Sequence, residues 1–147
     1  GLKKFVITLV LGDTQPGPSD ALSPAAAKAL ADLKDFLPYK KYRVLDTVPI
    51  IGSNPPHIML RGVEGQKHEF YMRSPDYGTK TQVDMLRLWE ATPADPQSPQ
   101  RKATHFELID TSFKIDVGGR VVVGTSRLDT ARLDLNLALI LLVTSVP

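Results

Sequence analysis

The sequence predicts an α+β fold: one N-terminal amphipathic helix packed on a mostly antiparallel twisted sheet with a C-terminal β-meander, in a single domain over residues 1–147. Three observations carry this expectation. One stretch alone, "SPAAAKALADLKDFL", joins a helix start signal to high helix propensity. The other ordered-looking runs are β-branched or alternate apolar with polar, the period of a strand. A chain of 147 residues fits one core and should bury roughly 70% of the surface its unfolded form exposes.

Phe5 to Leu11 is a β-rich run, and "GDTQPGPSD" after it enforces a loop through Gly12, Pro16, Gly17 and Pro18. Ser23 is a good N-cap and Pro24 suits the first helical position, where its missing N–H costs nothing. Leu30, Leu33 and Leu37, with Ala26 and Phe36 beside them, form an apolar stripe at helical spacing, while Lys28, Asp32, Lys34 and Asp35 stay outside. Pro38 stops the helix. "YRVLDTVPII" resumes the strand pattern, with Pro49 marking an edge or a bulge. "HIMLRGVEGQKHEFYMR" resembles two strands around a turn holding Gly62 and Gly65, placing Arg61 beside His68, and "QVDMLRLWEAT" is a further strand. Pro93, Pro96 and Pro99 make "PADPQSPQRKAT" a loop.

The most orderly stretch runs from Phe113 to Val143. Gly118-Gly119 supplies both positive-φ positions of a type I′ turn, so Val117 should face Arg120, Ile115 should face Val122 and Phe113 should face Gly124. A second reversal over Asp129 to Arg132 sets Arg127 opposite Asp134, a pair of complementary charge. Period-2 alternation then gathers Ile109, Phe113, Ile115, Val122 and the odd-numbered leucines from Leu133 to Leu141, with Leu128 and Val143, on one core-facing side. The reverse side is polar at one end and apolar at the other, where Val121, Val123, Ala138, Ile140 and Leu142 fall. Two covers suit that apolar end: the rest of the sheet closing round it, or another subunit.

Catalytic signatures are missing from the pattern. The chain has no cysteine, which excludes disulfides, thiolate nucleophiles and thiolate metal sites. His57, His68 and His105 lack metal-ligand spacing, so no metal site is expected, and the three read as exposed or capped side chains. "VGGRVVVGTS" is followed by strand rather than helix, so it cradles no phosphate, and Ser126 in "GTSRL" lacks the second glycine of a nucleophile elbow. Asp110 and Asp116 sit on a side that reads as solvated, where shifted acidities are not expected. A net charge of +2 and a "YKKYR" segment that complements a helix C-terminus argue against nucleic acid as a partner. "LKKFVITLVLG" superficially mimics a signal peptide but reads as a strand, and Gly1 suggests a trimmed product.

"DTSFKIDVGGRVVVGTSRL" followed by "LALILLVTSVP" resembles the closing strands of the β-domain of bacterial secretins, the outer-membrane export pores. The matching positions are Thr111, Ser112, Gly119, the valines Val121 to Val123, Gly124, the run Leu139 to Leu142, and Thr144. Secretins place a Val-Pro-x-Leu-Gly type motif between those strands, whereas "VPIIG" precedes them here. The resemblance implies a related strand arrangement in an envelope protein, periplasmic or exported, with the cytoplasm as the other compartment.

The expected function is therefore a non-enzymatic interaction or assembly domain of a bacterial cell-envelope protein, with no catalytic residues, no cofactor and no transmembrane segment. Its partner is a protein or a second copy, meeting Val121, Val123, Ile140 and Leu142. The alternative is a small-ligand-binding domain with a pocket between helix and sheet near Phe36, Tyr42, Trp89 and Phe106.

Overall fold

The computed structural model describes residues 3–51, 57–63, 66–74, 81–92, 97, 104–127 and 137–147. In chain order the elements are β1 (Lys4–Asp13), α1 (Pro24–Asp32), β2 (Lys41–Ile51), β3 (Ile58–Arg61), β4 (Lys67–Arg73), β5 (Thr81–Thr92), β6 (Thr104–Ile115), β7 (Arg120–Arg127) and β8 (Leu137–Val146). The expected antiparallel sheet and the short helix are present, but the strands form two four-stranded sheets, β2-β1-β8-β7 and β3-β4-β5-β6. Every strand pair is antiparallel.

The layering follows from which strands are apolar on both sides. β1 and β8 lie at the centre of the first sheet, and each carries two apolar faces. Phe5, Ile7, Leu9 and Leu11, with Leu139, Leu141 and Val143, pack on Leu60, Phe70, Met72, Leu86 and Leu88 of the second sheet. The reverse face, Val10, Ile140 and Leu142, packs on Ala26, Ala29 and Leu30 of α1. A strand buried on both faces reads as a continuous apolar run, which is the pattern of "LALILLV". The apolar reverse face of β8 is thus covered within the chain, and by the helix rather than by further sheet.

Local chemistry sets the helix start. Ser23 Oγ accepts the Ala26 N–H at 3.2 Å, and Pro24 follows in the first turn. The expected continuation to Leu37 is not formed. Leu33 caps the helix with φ −109° and ψ 6°, and residues 33–36 form turns. Pro38 disfavours helical backbone at Leu37 and clashes with the carbonyl four residues back, while Lys40 must return to donate to Asp13 O at 2.8 Å.

Three register expectations are corrected. The Gly118-Gly119 hairpin does not pair β6 with β7: β6 pairs with β5 and β7 with β8. Gly118 alone among the described glycines takes a positive φ, 80°, and Gly119 N–H donates to Asp116 O at 2.7 Å, so a turn with one left-handed residue carries the chain from sheet to sheet. Arg127 lies opposite Ala138, not Asp134, after an irregularity between Val122 and Gly124. The reversal at Asp129 to Arg132, with Leu128, Leu133 and Leu135, lies outside the described residues, as does most of the proline stretch after Thr92. In the β3–β4 hairpin Leu60, not Arg61, lies opposite His68, because Gly62 N–H closes the turn on Gln66 O at 2.7 Å.

The sheets meet at two seams, β2 beside β3 and β6 beside β7. At the first, the buried Asp46 carboxylate takes the place of ladder bonds. It accepts the Arg61 N–H at 2.9 Å and the Thr47 N–H at 2.9 Å, with Arg61 Nη2 at 3.3 Å.

Candidate functional site

At one end of the two-sheet core lies a cavity of about 310 Å³. Its position follows from strand pairing. Leu11 is flanked by Arg43 and Leu139, and Asp13 by Lys41 and Leu137. Cross-strand partners share a face, so these side chains continue the inward face past the last buried leucine, where the interior opens. Val63, in the β3–β4 connection, lines the cavity from the second sheet. Pro18 and Asp20 approach from the loop after β1. That loop is fastened to the edge of β2: Ser19 Oγ accepts the Tyr42 N–H at 3.0 Å, Asp20 N–H donates to Tyr42 O at 2.9 Å, and Asp20 Oδ2 accepts the Val44 N–H at 3.0 Å.

The lining combines apolar side chains, Leu11, Val63 and Leu137, with two carboxylates, two cations and Tyr42. Asp13 Oδ1 accepts the Gln15 N–H at 2.9 Å and its Oδ2 meets Lys41 Nζ at 3.3 Å. The Gln15 amide above all, helped by Lys41, holds the Asp13 carboxyl below its ordinary range. Burial raises the Tyr42 hydroxyl above its usual acidity range. The Arg43 side chain is exposed and has no hydrogen bond or ion pair to any described residue.

Beside the cavity, beneath Gly62, lies a second polar feature. His68 is 1% exposed, and no side chain hydrogen-bonds to its ring nitrogens. Burial pushes its pKa below the usual 6.5, opposed in smaller part by the Trp89 backbone. Opposite it lies the buried Glu90, which accepts from the Gln66 amide. A Cβ on residue 62 would sit 2.5 Å from His68 Nε2, so glycine there lets the imidazole fill its place. His68 therefore belongs to the interior, not to the exposed or capped class its sequence context suggests. His57 is exposed, 2.8 Å from Glu69 through Nδ1 and stacked near Trp89 on the outer face of the second sheet, and the His105 side chain lies outside the described part.

The structure separates the residues expected to form a pocket. Tyr42 lines the cavity. Phe36 is 80% exposed beyond the helix, and Trp89 lies half-buried on the outward side of β5. Phe106 pairs with Glu90 through its backbone, and its side chain lies outside the described part, as do those of Val121 and Val123. Ile140 and Leu142 are buried under α1. Arg43, Leu11, Val63 and Leu137 were not singled out by sequence. The available signal was the pairing of an arginine with the last leucine of a strand, visible only once β1 and β2 are in register.

No protein-family model matches this sequence, and no curated protein matches it. Among the described residues no helix is long and apolar enough to cross a membrane, and no three His, Asp or Glu side chains converge as a metal site.

Proposed function

We propose that this protein is a non-enzymatic binding domain that takes a small ligand at the open end of its two-sheet core. The observation that supports this is the cavity itself: about 310 Å³, lined by the apolar Leu11, Val63 and Leu137 and by a small set of polar groups. Such a lining matches small-molecule sites, which are mostly apolar with a few placed polar groups and start near ~300 Å³. The test is a thermal-shift screen of small amphiphiles. A true ligand raises the melting temperature with saturation, and Val63→Phe, which fills the cavity, removes the shift. A screen in which no compound stabilises the wild-type chain overturns the reading.

A second reading keeps the assembly role in a bacterial envelope, periplasmic or exported, that the secretin resemblance of the C-terminal strands implies. The outer face of the second sheet favours it. Met59 is 50% exposed there, opposite Glu69, and Trp89 and Tyr71 lie further across the same face opposite Glu107 and Arg87. Aromatic residues, methionine and arginine are enriched at interfaces, and a face carrying both charge signs suits a second copy of this chain across a two-fold axis. Sedimentation across a wide concentration range tests it: dimer formation lost in Trp89→Ser supports this reading, and a monomer throughout removes it.

A further inference from the structure

We infer that the ligand of the end cavity is a small monocarboxylate with an apolar tail, its carboxylate held by the Arg43 guanidinium and its tail laid against Leu11, Val63 and Leu137. This rests on the reading of the cavity as a ligand site and adds the chemistry of recognition. The lining carries four charged side chains, Asp13, Asp20, Lys41 and Arg43. Three are already engaged. Asp13 and Lys41 neutralise each other at 3.3 Å, and Asp20 is tied to the Val44 amide at 3.0 Å. Arg43 alone of the four has no partner among the described residues. A guanidinium presents a planar fork of donors that matches a carboxylate in bidentate fashion.

Charge and size narrow the class. The four lining charges sum to zero, so one bound negative charge leaves the site at −1, and a phosphate-like dianion leaves −2 beside two carboxylates. A monoanion is favoured. The volume of about 310 Å³ lies at the low end of ligand pockets, which suits one short chain rather than a nucleotide or a two-chain lipid. Leu11 and Val63 are buried within the main core, so the tail meets a surface already fixed by packing. Lys41 cannot replace Arg43 without giving up Asp13.

The experiment is a methyl-detected NMR titration of the whole chain with octanoate and, in parallel, octanol. Both probes shift the methyls of Leu11, Val63 and Leu137, and octanoate binds roughly tenfold more tightly, the effect of about 1.4 kcal/mol from a partly solvated charge-assisted contact. Arg43→Gln, an exposed position that bears no core load, brings octanoate down to the affinity of octanol. Lys28→Gln on the exposed side of α1 leaves the tenfold preference in place. Equal affinity of the two probes for the wild-type chain, or an unchanged octanoate affinity in Arg43→Gln, overturns carboxylate recognition while the cavity reading stands. No shift at those methyls with either probe overturns the cavity reading and this inference with it.

Discussion

His68 shows how one buried group ties stability to pH. Its ring is enclosed with no side chain bonded to it, and burial, opposed in smaller part by the Trp89 backbone, lowers its pKa below 6.5. The folded chain therefore holds it neutral where the unfolded chain begins to protonate it. Below 6.5 the unfolded state binds the extra proton, so stability is full above that pH and is lost as pH falls from 6.5 towards the lowered folded value. We expect the urea midpoint to drop on acidification from about pH 7 to about pH 5, with a slope of at most about 1.4 kcal/mol per pH unit from this group. His68→Leu should flatten the profile in that window. A midpoint that rises instead would mean that Glu90, directly opposite, captures the imidazolium as an ion pair. Asp46 makes a second residue-scale prediction. Its carboxylate bridges the β2–β3 seam by accepting the Arg61 N–H and also accepts the N–H of its own neighbour Thr47. Asp46→Ala leaves those donors unpaired and should cost about 2–3 kcal/mol by chemical denaturation. A cost near zero would show that water replaces the carboxylate at the seam.

The elements divide into those that carry their own signals and those defined by a partner. α1 carries its own. Ser23 and Pro24 mark its start, and Ser23→Ala should lower stability by about 1 kcal/mol, read as a drop in melting temperature without a change in fold. Its end was less legible, since Leu33, Phe36 and Leu37 keep helical spacing while Pro38 and the return to β2 govern the backbone. The odd-numbered side of β8 was legible because Leu139, Leu141 and Val143 alternate with strand period, and all three are buried in the main core. What covers the even-numbered side was not, because alternation reports that a face is buried and not against which layer. The same limit explains Gly118-Gly119. The residues specify a turn, but whether a turn joins neighbours in one sheet or carries the chain between sheets depends on the partners of the flanking strands, and here β6 pairs back with β5, the strand before it, while β7 pairs onward with β8. The end cavity was hidden for this reason above all. Leu11, Arg43, Val63 and Leu137 come from four separate segments, and only Tyr42 among the expected pocket residues lies there.

At the scale of the whole molecule, the chain closes on itself. β1 pairs on one side with β2 and on the other with β8, Lys4 opposite Val146 at one end and Asp13 opposite Leu137 at the other. The first sheet thus has no centre until both distant segments are present. Contacts of this sequence separation are entropically expensive to form and place folding in the slower, millisecond-to-second class. They also make β8 indispensable. Leu139, Leu141 and Val143 face the second sheet while Ile140 and Leu142 hold α1, so removing the strand strips both layers at once. Truncating a single one of these leucines to alanine costs ~2–5 kcal/mol, and whole domains are stable by only ~5–15 kcal/mol. A chain ending before Leu137 should therefore show no cooperative thermal or urea transition, and its amides in β4 and β5 should exchange without protection. Protection retained in those strands would mean that the second sheet forms a core of its own, and that the first sheet with its helix is an added layer rather than half of one folding unit.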